Sequence, residues 1–218
     1  MLHKKGKRMS HRYIVVEGPT GCGKSELSRH LARYFDALLL TEQPEKNPFL
    51  ELFYANAQHH ALAAELHFLM RRTESVALIQ AEDEKNQRII SDFLLEKDQI
   101  YAPAILHKEE ESLYWQIKHR VMPEFPVPDL VIYLEANDHT LEERLRHANP
   151  KTFNLFPAGY LRQIHQEYRR FFHLYQHAPL LTVNIGELDL LNNTEHFELL
   201  IHTITHMQGS RVHLNLSE

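Results

Sequence analysis

The chain has 218 residues, 43% of them apolar and 24% charged, which fits one soluble globular domain able to bury a core without disulfides. Cys22 is its single cysteine, so no intrachain disulfide can form and a reducing compartment is expected. A formal net charge of −5 argues against a broad nucleic-acid or membrane surface.

No apolar run approaches a membrane span, and the first residues lack an apolar signal core, so a cytoplasmic protein is expected. The 17 histidines are scattered; His59-His60 is the one adjacent pair, and no His or Cys spacing of a zinc site occurs. Residues 1–11 read as a basic, disordered arm carrying Lys4, Lys5, Lys7 and Arg8. Residues 12–208 read as a single domain, and 209–218 as a C-terminal tail.

Tyr13-Ile14-Val15-Val16 is a short, β-branched apolar run that predicts a strand. The glycine loop follows, then a helix from about Lys24 to Phe35. Ala37 to Thr41 predicts a second strand, and the spacing from Phe49 to Gln80 is helical, with Leu62, Leu66, Leu69 and Met70 on one face. Ile89-Ile90-Ser91 is a third strand ending at Asp92, and Glu109 to Met122 a helix stopped by Pro123. Asp129 to Leu134 is the clearest strand. Asp138 can cap a helix from near Leu141 to about His147, which the stretch Asn149 to Gly159, with two prolines, breaks. A helix over Leu161 to His177, a strand over Leu180 to Val183 and a helix over Phe197 to Met207 close the series. Strands apolar on both faces and separated by helices imply a parallel sheet covered on both sides.

Gly18-Pro19-Thr20-Gly21-Cys22-Gly23-Lys24-Ser25 is a Gly-x-x-x-x-Gly-Lys-Ser phosphate loop, placed between a strand and a helix as its mechanism requires. Backbone N–H groups and the helix N-terminus would cradle the phosphates of a nucleoside triphosphate, ATP by expectation. Lys24 would reach the β- and γ-phosphates, and the Ser25 hydroxyl would ligate Mg²⁺. Average composition yields the pattern by chance in on the order of 1 in 100 chains of this size. Three of only seven glycines fall inside it, so it is no by-product of glycine abundance.

Ligands of an open parallel sheet collect at the carboxyl ends of the strands. Glu42 and Asp92 both lie there. A kinase acting on a hydroxyl needs one carboxylate to orient and deprotonate it and another for the metal. Glu42 suits the first task and Asp92 the second; the alternative is that either acid caps a helix or meets solvent.

Read with their neighbours, these segments resemble the deoxynucleoside kinase family, especially its bacterial deoxyadenosine/deoxyguanosine branch, from Tyr13 to about Met207. Thr41 to Leu50 resembles the segment carrying the catalytic base, here Glu42, and Leu52-Phe53-Tyr54 the segment whose Tyr, here Tyr54, holds the sugar 3′-hydroxyl. Glu65 to Arg72 is similar to the base-recognition helix, with Glu65 where Gln is common and Arg72 at the matching arginine. Ser91 to Ala102 closely resembles the bacterial form of the next segment, which adds Asp92 and Asp98 to the substrate side. Pro128 to Ala136 and Ala178 to Asn184 match later strands.

The resemblance implies a three-layer α/β fold with about five parallel strands in the order 2-3-1-4-5, ATP with Mg²⁺, and a homodimer. An ionised Glu65 only accepts hydrogen bonds, which suits the N1–H and N2–H₂ donors of guanine and favours a purine deoxynucleoside; the alternative is that Glu65 pairs with Arg72 or another cation and never meets the base. Two departures stand out. The arginine many members carry after the third strand is Phe93 here. The lid, usually Arg-x-x-x-Arg-x-Arg followed by an acid, retains Arg144 at a matching place, with Arg146 and Lys151 in shifted ones. Losing such arginines leaves binding intact but slows turnover. The implied activity is an ATP:deoxynucleoside 5′-phosphotransferase of nucleotide salvage. The alternatives are a thymidylate-type monophosphate kinase and a nucleotide binder with impaired catalysis.

Overall fold

The structure, a computed structural model, describes residues 11–216, so the basic-arm reading of Lys4 to Arg8 lies outside the described residues. Strand β1 (Tyr13–Glu17) is buried along its whole length. It occupies the middle of a sheet with β2 (Leu38–Leu40), β3 (Ile89–Ser91), β4 (Leu130–Glu135), β5 (Leu180–Asn184) and β6 (Arg211–Leu214). The order is β2-β3-β1-β4-β5-β6 and every pairing is parallel.

Side chains of a strand alternate between its faces, and β1 and β4 feed two cores in this way. Ile14, Val16, Leu130, Ile132 and Leu134 pack on one side with Leu27 and Leu31 of α1 (Lys24–Phe35). Tyr13, Val15, Val131 and Tyr133 pack on the other with Tyr168 and Phe172 of α8, the helix Tyr160–Leu174. A third cluster joins Phe53 of α2 (Leu50–Ala55) and Ala64 and Leu69 of α3 (Ala57–Glu84). Ala102 of α4 (Asp98–Ile105) and Tyr114 of α5 (Lys108–Val121) complete it.

The sheet has six strands rather than about five. The sixth comes from the stretch read as a tail: Arg211-Val212-His213-Leu214 alternates polar and apolar residues over four positions, a weak signal for a parallel edge strand. The helix expected from Phe49 to Gln80 is two helices, because Asn56 leaves helical geometry at φ −152° and ψ 86°. The buried stripe of α3 runs through Ala61, Ala64, Glu65, Leu69, Arg72, Val76 and Ile79. Met70 is therefore 50% exposed rather than in the core.

Helix α6 (Asp138–Ala148) begins earlier than expected and is capped by Asn137, whose side chain accepts from Thr140 N. The proline-containing stretch after it holds a short helix, α7 (Pro150–Phe153), started by Pro150 and capped by Asn149. Helix α9 (Thr194–His206) packs through Leu200, Ile201 and Ile204.

Candidate active site

The loop between β1 and α1 is shaped by close backbone approach. A Cβ on Gly18 would lie 2.8 Å from the Leu134 carbonyl oxygen. Gly21, at φ +92°, has room for none, since its Cβ would meet the Leu141 carbonyl at 2.6 Å. Gly23 precedes α1 without a side-chain cap, so the helix keeps its first N–H groups and its positive dipole end for an anion. Cys22 points into the core, where burial pushes its thiol up and leaves it inert. Thr20, Lys24 and Ser25 reach the wall of an adjoining cavity of about 640 Å³. A narrow loop with uncapped N–H groups, a lysine and a hydroxyl fits a triphosphate.

Glu42 and Asp92 stand in the same wall, at the ends of β2 and β3. The parallel register sets Leu40 beside Ser91 and so brings the two acids together. Asp92 Oδ1 accepts from Glu42 N at 2.8 Å. The Glu42 carboxylate is gripped on both oxygens: Arg72 Nη1 donates to Oε1 at 3.2 Å and Lys97 Nζ to Oε2 at 2.6 Å. Burial pushes this carboxyl up, but Lys97 and Arg72 outweigh it and hold it below the usual carboxylate range. It is an ionised group at neutral pH.

Ser25 and Asp92, the expected Mg²⁺ ligands, both line the cavity. Among the described residues no cluster of three His, Cys, Asp or Glu side chains forms a dedicated metal cage.

Glu65 and Arg72 project from the buried stripe of α3 into the cavity, with Phe68 between them. Burial raises the Glu65 carboxyl to about 7 against the pull of Arg72. Among the described residues Arg72 Nε and Nη2 have no hydrogen-bond partner, and Nη2 lies 3.9 Å from Glu65 Oε2. Tyr54 lies in the wall too, its ring 4.6 Å from that of Phe156.

Three expected residues are placed otherwise. Asp98 is fully buried behind the wall, its oxygens taken by Lys118 Nζ at 2.8 Å and Tyr114 Oη at 3.1 Å, so it acts on Arg72 through the field and not on a ligand by contact. Arg144 turns to the chain after β5 and donates to the Ile185 carbonyl at 2.7 Å. The Arg146 guanidinium lies over the Phe153 ring at 4.6 Å. Instead the lid side of the cavity presents Asn149, Thr152, Leu155, Phe156 and Tyr160, all uncharged. Phe93, at the position of the absent arginine, is packed in the core.

Two residues escaped the sequence reading. Glu17 ends β1 fully buried, its carboxylate accepting from Gly18 N, Tyr168 Oη and Leu94 N. Its signal was an acid terminating an otherwise apolar strand. Lys97 precedes α4 and had no local signal, because what explains it comes from β1 and β2.

The family model described as deoxynucleoside kinase matches residues 14–208. The deoxyguanosine kinase of Bacillus subtilis (strain 168) is 29% identical over 196 residues, covering 85% of this chain and 92% of that protein. The deoxyadenosine/deoxycytidine kinase of the same strain is 25% identical over 199 residues, covering 88% and 90%. Among solved structures, deoxyadenosine kinase from M. mycoides with bound dATP superposes with a TM-score of 0.74 at 22% identity, covering 88% of this chain and 98% of that one. With a phosphate loop, paired carboxylates at the strand ends and a match along nearly the whole described domain, the chain belongs to the deoxynucleoside kinase family.

Proposed function

We propose that the protein transfers the γ-phosphoryl group of ATP to the 5′-hydroxyl of a deoxynucleoside, with a purine base preferred and guanine first. The observation that carries this reading is the placement of an ionised Glu42 in the wall shared by the phosphate loop and the 640 Å³ cavity. A base must stand within hydrogen-bond reach of the hydroxyl it activates, beside the phosphate to be attacked.

In this scheme Glu42 orients the 5′-hydroxyl and accepts its proton as the oxygen bonds to the γ-phosphorus. The bond to the β–γ bridging oxygen breaks, and its electron pair leaves with ADP. Lys24 and the loop N–H groups hold the β- and γ-phosphates, while Tyr54 lies where a sugar hydroxyl can meet it. Ser25 and Asp92 would hold Mg²⁺, whose charge, when bound, would neutralise the phosphate oxygens. Arg144 and Arg146 are outside the cavity wall, engaged with the Ile185 carbonyl and the Phe153 ring, so phosphate binding by either requires its side chain to leave that partner.

A monophosphate acceptor is disfavoured, because Arg72 and Lys97 on the acceptor side are already matched by carboxylates. No helix among the described residues is long and apolar enough to cross a membrane, and a cytoplasmic enzyme suits the single buried cysteine. A homodimer would cover Met70 and Leu78 of α3 and Leu113 of α5, which are 50%, 44% and 46% exposed, and light scattering would read it as twice the chain mass.

The test is phosphate transfer from labelled ATP with Mg²⁺ to each of the four deoxynucleosides. Transfer to purine deoxynucleosides that disappears in Lys24→Ala and Glu42→Gln supports the reading. A wild type that binds ATP and phosphorylates none of them refutes it.

A further inference from the structure

Lys97 occupies a costly position. Its ammonium is nearly fully buried, and it stands at the N-terminus of α4, where the helix dipole disfavours a cation. It is retained by two buried carboxylates: Glu42 Oε2 at 2.6 Å and Glu17 Oε1 at 3.9 Å. Glu17 is itself fixed by three hydrogen bonds from the phosphate loop (Gly18 N), α8 (Tyr168 Oη) and the turn after β3 (Leu94 N). The Tyr101 ring lies 5.5 Å away. A local arrangement this unfavourable, maintained by long-range partners, points to function more than to stability.

Among the described residues the cations of the cavity wall are Lys24, Arg72 and Lys97. Lys24 belongs to the phosphate loop. Arg72 holds Glu42 Oε1 and lies 3.9 Å from Glu65. The lid contributes no charge to this wall. That leaves Lys97 as the cation beside the second Glu42 oxygen, where the reacting hydroxyl and the γ-phosphate must meet.

We infer that Lys97 is a positioning residue of the phosphoryl transfer: it sets the Glu42 carboxylate toward the 5′-hydroxyl and keeps a positive charge beside the oxygens on which negative charge grows. This rests on the proposed kinase reading. Lys97 stays protonated throughout; the hydroxyl proton goes to Glu42, and Lys97 exchanges none. Its charge acts where the lid arginines do not reach, although an ammonium lacks the two-pronged geometry of a guanidinium.

The experiment compares wild type, Lys97→Met, Lys97→Arg and Lys97→Ala with added methylammonium, reading kcat and KM for the deoxynucleoside and Kd for ATP. Lys97→Met should lower kcat by about 10²-fold or more, with KM and Kd within about threefold, since the contact strengthens in the transition state. Lys97→Arg and methylammonium on the alanine variant should each recover part of kcat. Met and wild-type kcat within threefold, or arginine and methylammonium both without effect on folded protein, overturns the inference.

A denaturation cycle with Glu42→Gln removes dependence on activity. Midpoint shifts of Lys97→Met and Glu42→Gln should be strongly non-additive, and additive shifts overturn the pairing. A wild type that phosphorylates no deoxynucleoside defeats the kinase reading, and the cycle then still decides whether Lys97 holds Glu42.

Discussion

Arg72 Nη2 stands 3.9 Å from Glu65 Oε2, two side chains seven residues apart on one buried stripe of α3. Arg72 Nε and Nη2 have no hydrogen-bond partner among the described residues, and Glu65 meets Nη2 at ion-pair distance, too far for a hydrogen bond. A guanine edge offers the complement, O6 for the arginine and N1–H with N2–H₂ for the carboxylate. Glu65→Gln should cut the ratio of kcat/KM for deoxyguanosine over deoxyadenosine at least tenfold, since an unmatched buried polar group is what discriminates bases. Competition between the two nucleosides in one assay measures this ratio directly.

The same carboxyl sets a pH dependence. Its ordinary value is 4.5, and burial raises it to about 7, with Arg72 opposing and Asp98, Glu42 and Lys97 also facing it. Between these values the folded protein holds a proton that the unfolded chain has released, so stability from this group falls as pH rises. Glu65→Gln should therefore stabilise the protein more at pH 8 than at pH 5, by a difference on the order of 2 kcal/mol in chemical denaturation. In activity, the deoxyguanosine preference should grow as pH rises through 7 and become flat in the glutamine variant.

Removing the base should be a defect of rate. Glu42→Gln keeps shape but neither accepts the proton nor satisfies Lys97 and Arg72, and kcat should fall about 10²–10⁴-fold. ATP affinity, measured by calorimetry, should stay within a few-fold because the phosphate loop is untouched.

The loop itself answers to Gly21→Ala. The added Cβ would press on the Leu141 carbonyl at 2.6 Å from a positive φ. The cost should be about 1–3 kcal/mol of stability, with a matching loss of ATP binding, read by thermal melts with and without nucleotide.

Much of this architecture can be read from local pattern. The phosphate loop carries its own spacing, and apolar strands such as Val131-Ile132-Tyr133-Leu134 announce a sheet buried on both faces. Glu42 and Asp92 could be nominated because strand ends are visible in sequence. What stayed hidden depends on partners distant in the chain. Lys97 is explained by Glu17, 80 positions earlier, and the withdrawal of Arg144 by a carbonyl at Ile185. Asp98 reads as a site residue by resemblance, yet Tyr114 and Lys118 of α5 claim both its oxygens. β6 escaped because a four-residue edge strand has too few positions for its alternation to stand out.

The close seat of Gly21 against Leu141 and Leu145 has a mechanical result. With no side chain between them, α6 is a fixed post beside the phosphate loop, and nothing soft can absorb a displacement of one against the other. The chain leaves helical geometry next at Asn149, at φ −148° and ψ 76°. Beyond that break the chain is no longer tied to the loop through α6, and its next residues carry aromatic rings and amides to the cavity.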